Sequence, residues 1–142
     1  MNGLLAAFQE FFREHSEHWV ERFQYREAGA QLLLQAFLRR IVNGGGRIER
    51  EYGLGRLRTD LLVLWFDPGG GRRIVIELKL LHKSLEQTLG AGLEQTWEYL
   101  DRCAAEEGYL VIFDRTPGEP WEEKLFQRHA SFHGRPIQVW GM

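Results

Sequence analysis

A single cysteine, Cys103, is all the thiol in a chain of 142 residues. With no second thiol to pair with, a disulfide framework and a cysteine-based zinc site are both excluded, and Cys103 reads as a small core filler. Apolar runs are equally scarce. None approaches the roughly 18 residues of a membrane-spanning helix, and Met1 is followed by a helical pattern carrying Glu10 and Arg13, not by a basic stretch and a cleavage site. A soluble, cytoplasmic protein with no membrane partner is the expectation. Neither glycine cluster, Gly44 to Gly46 or Gly69 to Gly71, is followed by Lys and then Ser or Thr, so there is no P-loop and no support for nucleotide hydrolysis. Internal repeats and low-complexity segments are also missing.

What the chain does have is enough apolar material, 44% of residues, for one real core, and a length that suits one domain. Its charge is unevenly spread. Residues 1–38 carry 3 basic and 5 acidic side chains, residues 39–83 carry 10 and 5, and residues 84–142 carry 5 and 10. The middle third is a local basic footprint on an otherwise acidic chain, which suits either a nucleic-acid contact or a solvated loop face.

Periodicity divides the chain into elements. Leu4 to Glu14 has apolar residues at helical spacing, and so does a longer stretch from about Phe23 to Val42, stopped by Asn43 and three glycines. Arg47 to Tyr52 alternates as a half-exposed strand, and Gly53 and Gly55 mark a tight turn. Thr59 to Phe66 and Arg73 to Leu80 are nearly all apolar, as strands buried on both faces are, and look like a hairpin. Leu85 to Ala105 reads as a third helix, Tyr109 to Phe113 as a buried strand, Trp121 to His129 as a surface helix, and Pro136 to Trp140 as a last strand. The expectation is an α/β fold with a mixed sheet flanked by helices: a helical extension over residues 1–22, a core over 23–115, and a C-terminal helix and strand over 116–142.

Three charged residues interrupt this apolar sheet. Side chains at i and i+2 of a strand share a face, so Glu77 and Lys79 point together while Leu78 faces the opposite layer. Asp60 opens the preceding strand, and hairpin pairing would bring it close to Glu77. Two carboxylates that near repel unless a cation lies between them, and hard oxygen ligands favour Mg²⁺ or Mn²⁺. The alternative is structural: Asp60 caps the turn or pairs with Arg58, and Glu77 and Lys79 form an ordinary salt bridge. The third helix adds Gln95 and Tyr99, four apart on one face; the second adds Glu27, with Gln31 one turn on.

This arrangement resembles the PD-(D/E)XK nuclease superfamily, whose core runs α-β-β-β-α-β. Asp60 matches its second-strand aspartate, Glu77-Leu78-Lys79 its glutamate-x-lysine, and Gln95 to Tyr99 the Gln-x-x-x-Tyr motif of the RecB-like branch. Thr59 stands where the superfamily name has Pro. The segments Gly44 to Tyr52, Gly55-Arg56 with Thr59-Asp60, and Gly108 to Arg115 are similar to the C-terminal nuclease-like domain of bacterial AAA-type ATPases. The resemblance implies a metal-dependent nuclease acting on nucleic acid, DNA rather than RNA. Asp60, Glu77, the Leu78 backbone carbonyl and, as an extra ligand, Glu27 would hold Mg²⁺ or Mn²⁺. Lys79 would orient the attacking water, with Gln95 steadying Lys79 or a phosphate. Arg47, Arg50, Arg56, Arg58 and Tyr99 would contact nucleic acid. A silent binding module of the same fold, or a dimerising accessory domain that has an ATPase as partner or parent chain and a patch formed by Trp19, Phe23, Trp121 and Trp140, is the alternative.

Overall fold

The computed structural model describes the backbone of residues 1–20, 27–42, 45–54, 57–67 and 69–142, and the side chains of residues 1–15, 29–40, 45–49, 60–66 and 69–142. Helix α1 spans Asn2–Val20 and α2 spans Glu27–Val42, with Arg39 and Arg40 in the last turn of α2, where cations oppose the negative end of the helix dipole. Strands β1 (Gly46–Leu54), β2 (Leu57–Asp67) and β3 (Gly70–Leu80) follow in sequence. Helix α3 (Leu85–Arg102) starts at Ser84, whose side chain accepts from the Gln87 amide at 3.2 Å and so satisfies one of the unpaired N–H groups of the first turn. Then come β4 (Glu107–Phe113), a single helical turn α4 (Trp121–Lys124), β5 (Phe126–Phe132) and β6 (Arg135–Gly141).

The six strands form one mixed sheet in the order β1-β2-β3-β4-β6-β5. Pairing is antiparallel from β1 to β3, parallel from β3 through β4 to β6, and antiparallel again at the β5 edge. Alternation along the strands sends Leu61, Val63, Ile74, Ile76, Leu78, Val111 and Phe113 to one face, where they are buried with Leu5, Phe8 and Phe12 of α1 and Leu34 and Leu38 of α2. Leu62, Val75, Leu110, Ile112, Ile137 and Val139 go to the other, against Tyr99 and Leu100 of α3. The result is a mixed sheet flanked by helices on both faces, as expected of strands without a polar side.

One element departs from expectation. Trp121 to His129 is not a surface helix: it is helical only over Trp121–Lys124, and the chain then enters β5. Trp121, Glu122, Glu123 and Lys124 do favour a first helical turn, but from Phe126 onward the part-buried positions Phe126, Ala130 and Phe132 keep a period of two and pack on the α3 face. His133 and Gly134, both at positive φ, close the turn into β6, and Phe132 pairs with Arg135 across it. The aromatic patch also fails in part. Trp140 is buried in the core that includes α1, and Trp121 packs against it, meeting Phe12 edge-on; the side chains of Trp19 and Phe23 lie outside the described residues. Cys103 is buried, as its reading as a core filler requires. Among the described residues no helix is long and apolar enough to cross a membrane.

Two glycines let α3 lie close to the sheet. A Cβ on Gly92 would come within 2.6 Å of Leu110 Cδ1, and one on Gly108 within 2.8 Å of Leu100 Cδ1. Both neighbours are fully or almost fully buried, so neither has room to retreat. Gly92→Val is therefore expected to lower stability by about 1–3 kcal/mol through overpacking, read as a reduced denaturation midpoint.

Candidate active site

The same alternation that builds the core puts three charged residues on the α3 face. Glu77 and Lys79 lie between Leu78 and its neighbours, which face α1 and α2, and Asp60 has the parity of Leu62. The expected approach of β2 to β3 is made in an unexpected way. Among the described residues the β2–β3 ladder ends at Leu61↔Ile76, and the amide of Leu78 donates at 2.8 Å to Asp60 Oδ2, not to a strand carbonyl. The Asp60 carboxylate thus takes a ladder position where the pairing ends, near enough to Glu77 for their charges to interact.

Glu77 is 1% exposed. Its Oε1 accepts from Lys79 Nζ at 2.9 Å, while Oε2 is buried and has no hydrogen-bond partner. Burial, and then the negative charge of Asp60, push the Glu77 carboxyl up from its ordinary value to about 8, against the opposing pull of Lys79. The anionic form is therefore short of compensating charge, with Lys79 and the Asp60 backbone the groups that favour it.

Lys79 is the open side of the cluster, with 22% of its side chain exposed. Gln95 Oε1 accepts from Lys79 Nζ at 2.6 Å, and Gln95 Nε2 donates to the Tyr99 hydroxyl at 3.0 Å, so the amide is oriented from both ends. Gln95 and Tyr99 share a face of α3, as their spacing requires. Tyr99, however, is 2% exposed and not at the surface; packing under α3 makes it a support for Gln95, and burial raises its hydroxyl pKa above the ordinary value. Leu78 holds its expected place between Glu77 and Lys79, with its side chain in the opposite core.

A contact that the sequence did not announce comes from α2. Gln31, 5% exposed, donates from Nε2 to the main-chain carbonyl of Asp60 at 3.1 Å. Its only signal was its place one turn beyond Glu27, on a helix whose inward face is apolar apart from Gln31 and Gln35. Of the expected basic contacts, Arg47 is exposed and pairs with Glu49 at 3.1 Å. The side chains of Glu27, Arg50 and Arg58, and Arg56 altogether, lie outside the described residues. Among the described residues no group of three or more His, Cys, Asp or Glu is arranged to hold a metal, and Asp60 and Glu77 are the described carboxylates that lie together here.

The Glu77 shift makes a stability prediction. Its native value, about 8, lies above the ordinary 4.5, so between these values the folded state binds more protons than the unfolded one. In chelator, stability is expected to be highest below pH 4.5 as far as this group is concerned, and to fall as pH rises toward 8, by at most about 5 kcal/mol. Glu77→Gln should flatten that part of a pH series of urea denaturations; an unchanged slope would show that Glu77 titrates normally. Comparison of the chain with protein-family models, with curated proteins and with solved structures yields no match.

Proposed function

We propose that this chain is a metal-dependent nuclease of the PD-(D/E)XK type, hydrolysing phosphodiester bonds of nucleic acid, with DNA the favoured substrate and Asp60, Glu77 and Lys79 at its centre. The observation that carries the reading is the unpartnered, buried Glu77 Oε2 beside a second carboxylate. An ordinary salt bridge engages one oxygen of Glu77, and ionising the buried group leaves the other uncompensated, which is why its carboxyl is held above the ordinary range. The residues fit a small hard cation: Asp60 and Glu77 bring oxygen donors, and the Leu78 carbonyl lies in the same strand segment. The element order α2-β1-β2-β3-α3-β4 also agrees with the α-β-β-β-α-β core of that superfamily.

In hydrolysis a water oxygen attacks phosphorus, a P–O bond breaks, and the leaving oxygen takes a proton. A bound Mg²⁺ or Mn²⁺ supplies positive charge for the phosphoryl oxygens and a more acidic water. The chain's own contributions are separable. Asp60 and Glu77 hold the ion, and burial of Glu77 keeps competing water away from it. Lys79, held by Glu77 and Gln95 and reachable from solvent, presents an ammonium to the incoming phosphate and orients the attacking water. Gln95 and Tyr99 hold that ammonium in one place, which matters because a displacement of about 1 Å at a reacting group can cost about 100-fold in rate. Arg47 is exposed on β1, where a phosphate can displace Glu49 from it, and contacts of that kind position a strand without reading its bases.

Labelled single- and double-stranded DNA incubated with the purified chain should be cut in Mn²⁺ or Mg²⁺ and left intact in EDTA. Asp60→Ala, Glu77→Ala and Lys79→Ala should each lower the rate by about 100-fold or more. Cutting that survives in Asp60→Ala and Lys79→Ala would remove the chemistry from this cluster. A second expectation follows from the protonation of Glu77: Mn²⁺ binding near pH 7 should release about one proton, measured by calorimetry in buffers of different ionisation heat. Glu77→Gln should abolish that release.

A further inference from the structure

Helix α2 lies on the face of the sheet opposite the carboxylate cluster, yet it reaches the cluster's backbone. Its buried stripe, Ala30, Leu34 and Leu38, is apolar except for Gln31 and Gln35, which are 5% and 7% exposed. A buried amide in such surroundings costs free energy unless it is hydrogen-bonded, and Gln31 meets that need at a specific point, the Asp60 carbonyl, at 3.1 Å. Asp60 is thereby held from two sides. Its carbonyl is gripped from the α2 layer, and its carboxylate is gripped by the Leu78 amide at 2.8 Å. No β2–β3 ladder pair among the described residues helps at that position, because pairing ends one residue earlier at Leu61↔Ile76. Carbonyl and carboxylate leave the same Cα region, so a carbonyl free to turn changes the backbone torsions and swings the carboxylate with them.

We propose that Gln31 is a positioning residue for the metal centre, fixing through the Asp60 carbonyl the direction in which the Asp60 carboxylate points. The inference rests on the reading of Asp60 and Glu77 as metal ligands. It assigns to α2 a part in the site that involves no contact with substrate or ion. Groups that orient a ligand in this way commonly change metal affinity by about 10- to 100-fold when removed.

The test compares Gln31→Met, which keeps the length of the side chain and removes its donor, with Gln35→Met, which makes the same change one turn along the same buried stripe. Hydrogen exchange at the Leu78 amide, followed by NMR in metal-free protein, reports whether Asp60 Oδ2 still sits on that amide. Calorimetric titration with Mn²⁺ alone reports the affinity. In Gln31→Met, Leu78 protection is expected to fall by at least about fivefold, and Mn²⁺ to bind about 10- to 100-fold more weakly. Gln35→Met should leave both at the parent level even where it lowers the unfolding midpoint. Parent-like Leu78 protection in Gln31→Met overturns the positioning role whether or not a metal binds, and so does an equal loss of Mn²⁺ affinity in both variants. A parent chain that binds no Mn²⁺ overturns the metal-centre reading instead, and with it the purpose assigned to Gln31, while the Leu78 measurement still reports on the Gln31–Asp60 bond. Should Gln31→Met fail to fold, Gln31→Asn keeps a buried amide but draws it back by about 1.5 Å, and should shift both readouts in the same direction.

Discussion

A carboxyl group in the third strand of this sheet, 1% exposed and bordered by Ile76 and Leu78, is the constraint that organises its surroundings. An ionised carboxylate there needs compensation. Lys79 brings it, but a lysine drawn into the same apolar layer has to satisfy its own ammonium, and Gln95 takes part of that load. Gln95 in turn keeps its amide oriented because Tyr99 accepts from the other end. Both of those side chains belong to α3, and α3 lies near enough only because Gly92 and Gly108 offer no Cβ to Leu110 and Leu100. A chain of dependence thus runs from two glycines to one glutamate. Isoleucine or leucine at position 77 would satisfy the strand without any of it, so the arrangement gives up stability in order to keep a titratable carboxyl group there.

The two helical layers make different contributions. On the α1 and α2 side the contacts are aromatic and aliphatic, with Phe8 meeting Phe12, Phe37 and Phe113 at ring-centroid distances between 5.3 and 6.5 Å. That side supplies the bulk of the core and a rigid back to the sheet. On the α3 side the packing is interrupted by the polar cluster. The link between the layers passes through the backbone of β2, where the β2–β3 ladder stops short of Asp60, whose carbonyl meets Gln31 and whose carboxylate meets the Leu78 amide. A cluster at the end of the β2–β3 ladder, with Lys79 partly exposed, still inherits the stiffness of the sheet below it.

Much of this was legible in the sequence because it follows from periodicity. A period of two put Glu77 and Lys79 together and Leu78 apart, and a period near 3.6 put Gln95 and Tyr99 on one face. The depth of Tyr99 was not legible, since a residue four beyond Gln95 has the same helical phase at the rim as underneath, and only the closeness of α3 to β4 decides between them. The Gln31 bond was hidden for a related reason: it ends on a main-chain carbonyl, which carries no residue identity. Phe126–Phe132 misled because Trp121, Glu122, Glu123 and Lys124 begin a helix correctly, and helical preference says nothing about where a neighbouring strand edge will capture the chain. The alternation of Phe126, Ala130 and Phe132 before His133-Gly134 was the signal that favoured a hairpin.

Charge balance bears on why a lysine alone would not serve a phosphodiester here. With Glu77 protonated, as its elevated value allows near neutrality, Asp60, Glu77 and Lys79 together are neutral; with Glu77 ionised they carry one negative charge and repel the substrate. Adding a divalent cation to the ionised trio leaves it singly positive, which matches one phosphodiester. The proton on Glu77 and the cation are therefore alternatives that satisfy the same buried oxygens. On the proposed reading, protonation would leave a neutral cluster, and a cation in place of the proton would leave one that attracts phosphate. In this arrangement the burial of Glu77 does more than raise its pKa. It would tie any cation binding at Asp60 and Glu77 to loss of a proton, so that the cluster would gain net positive charge only with the cation in place.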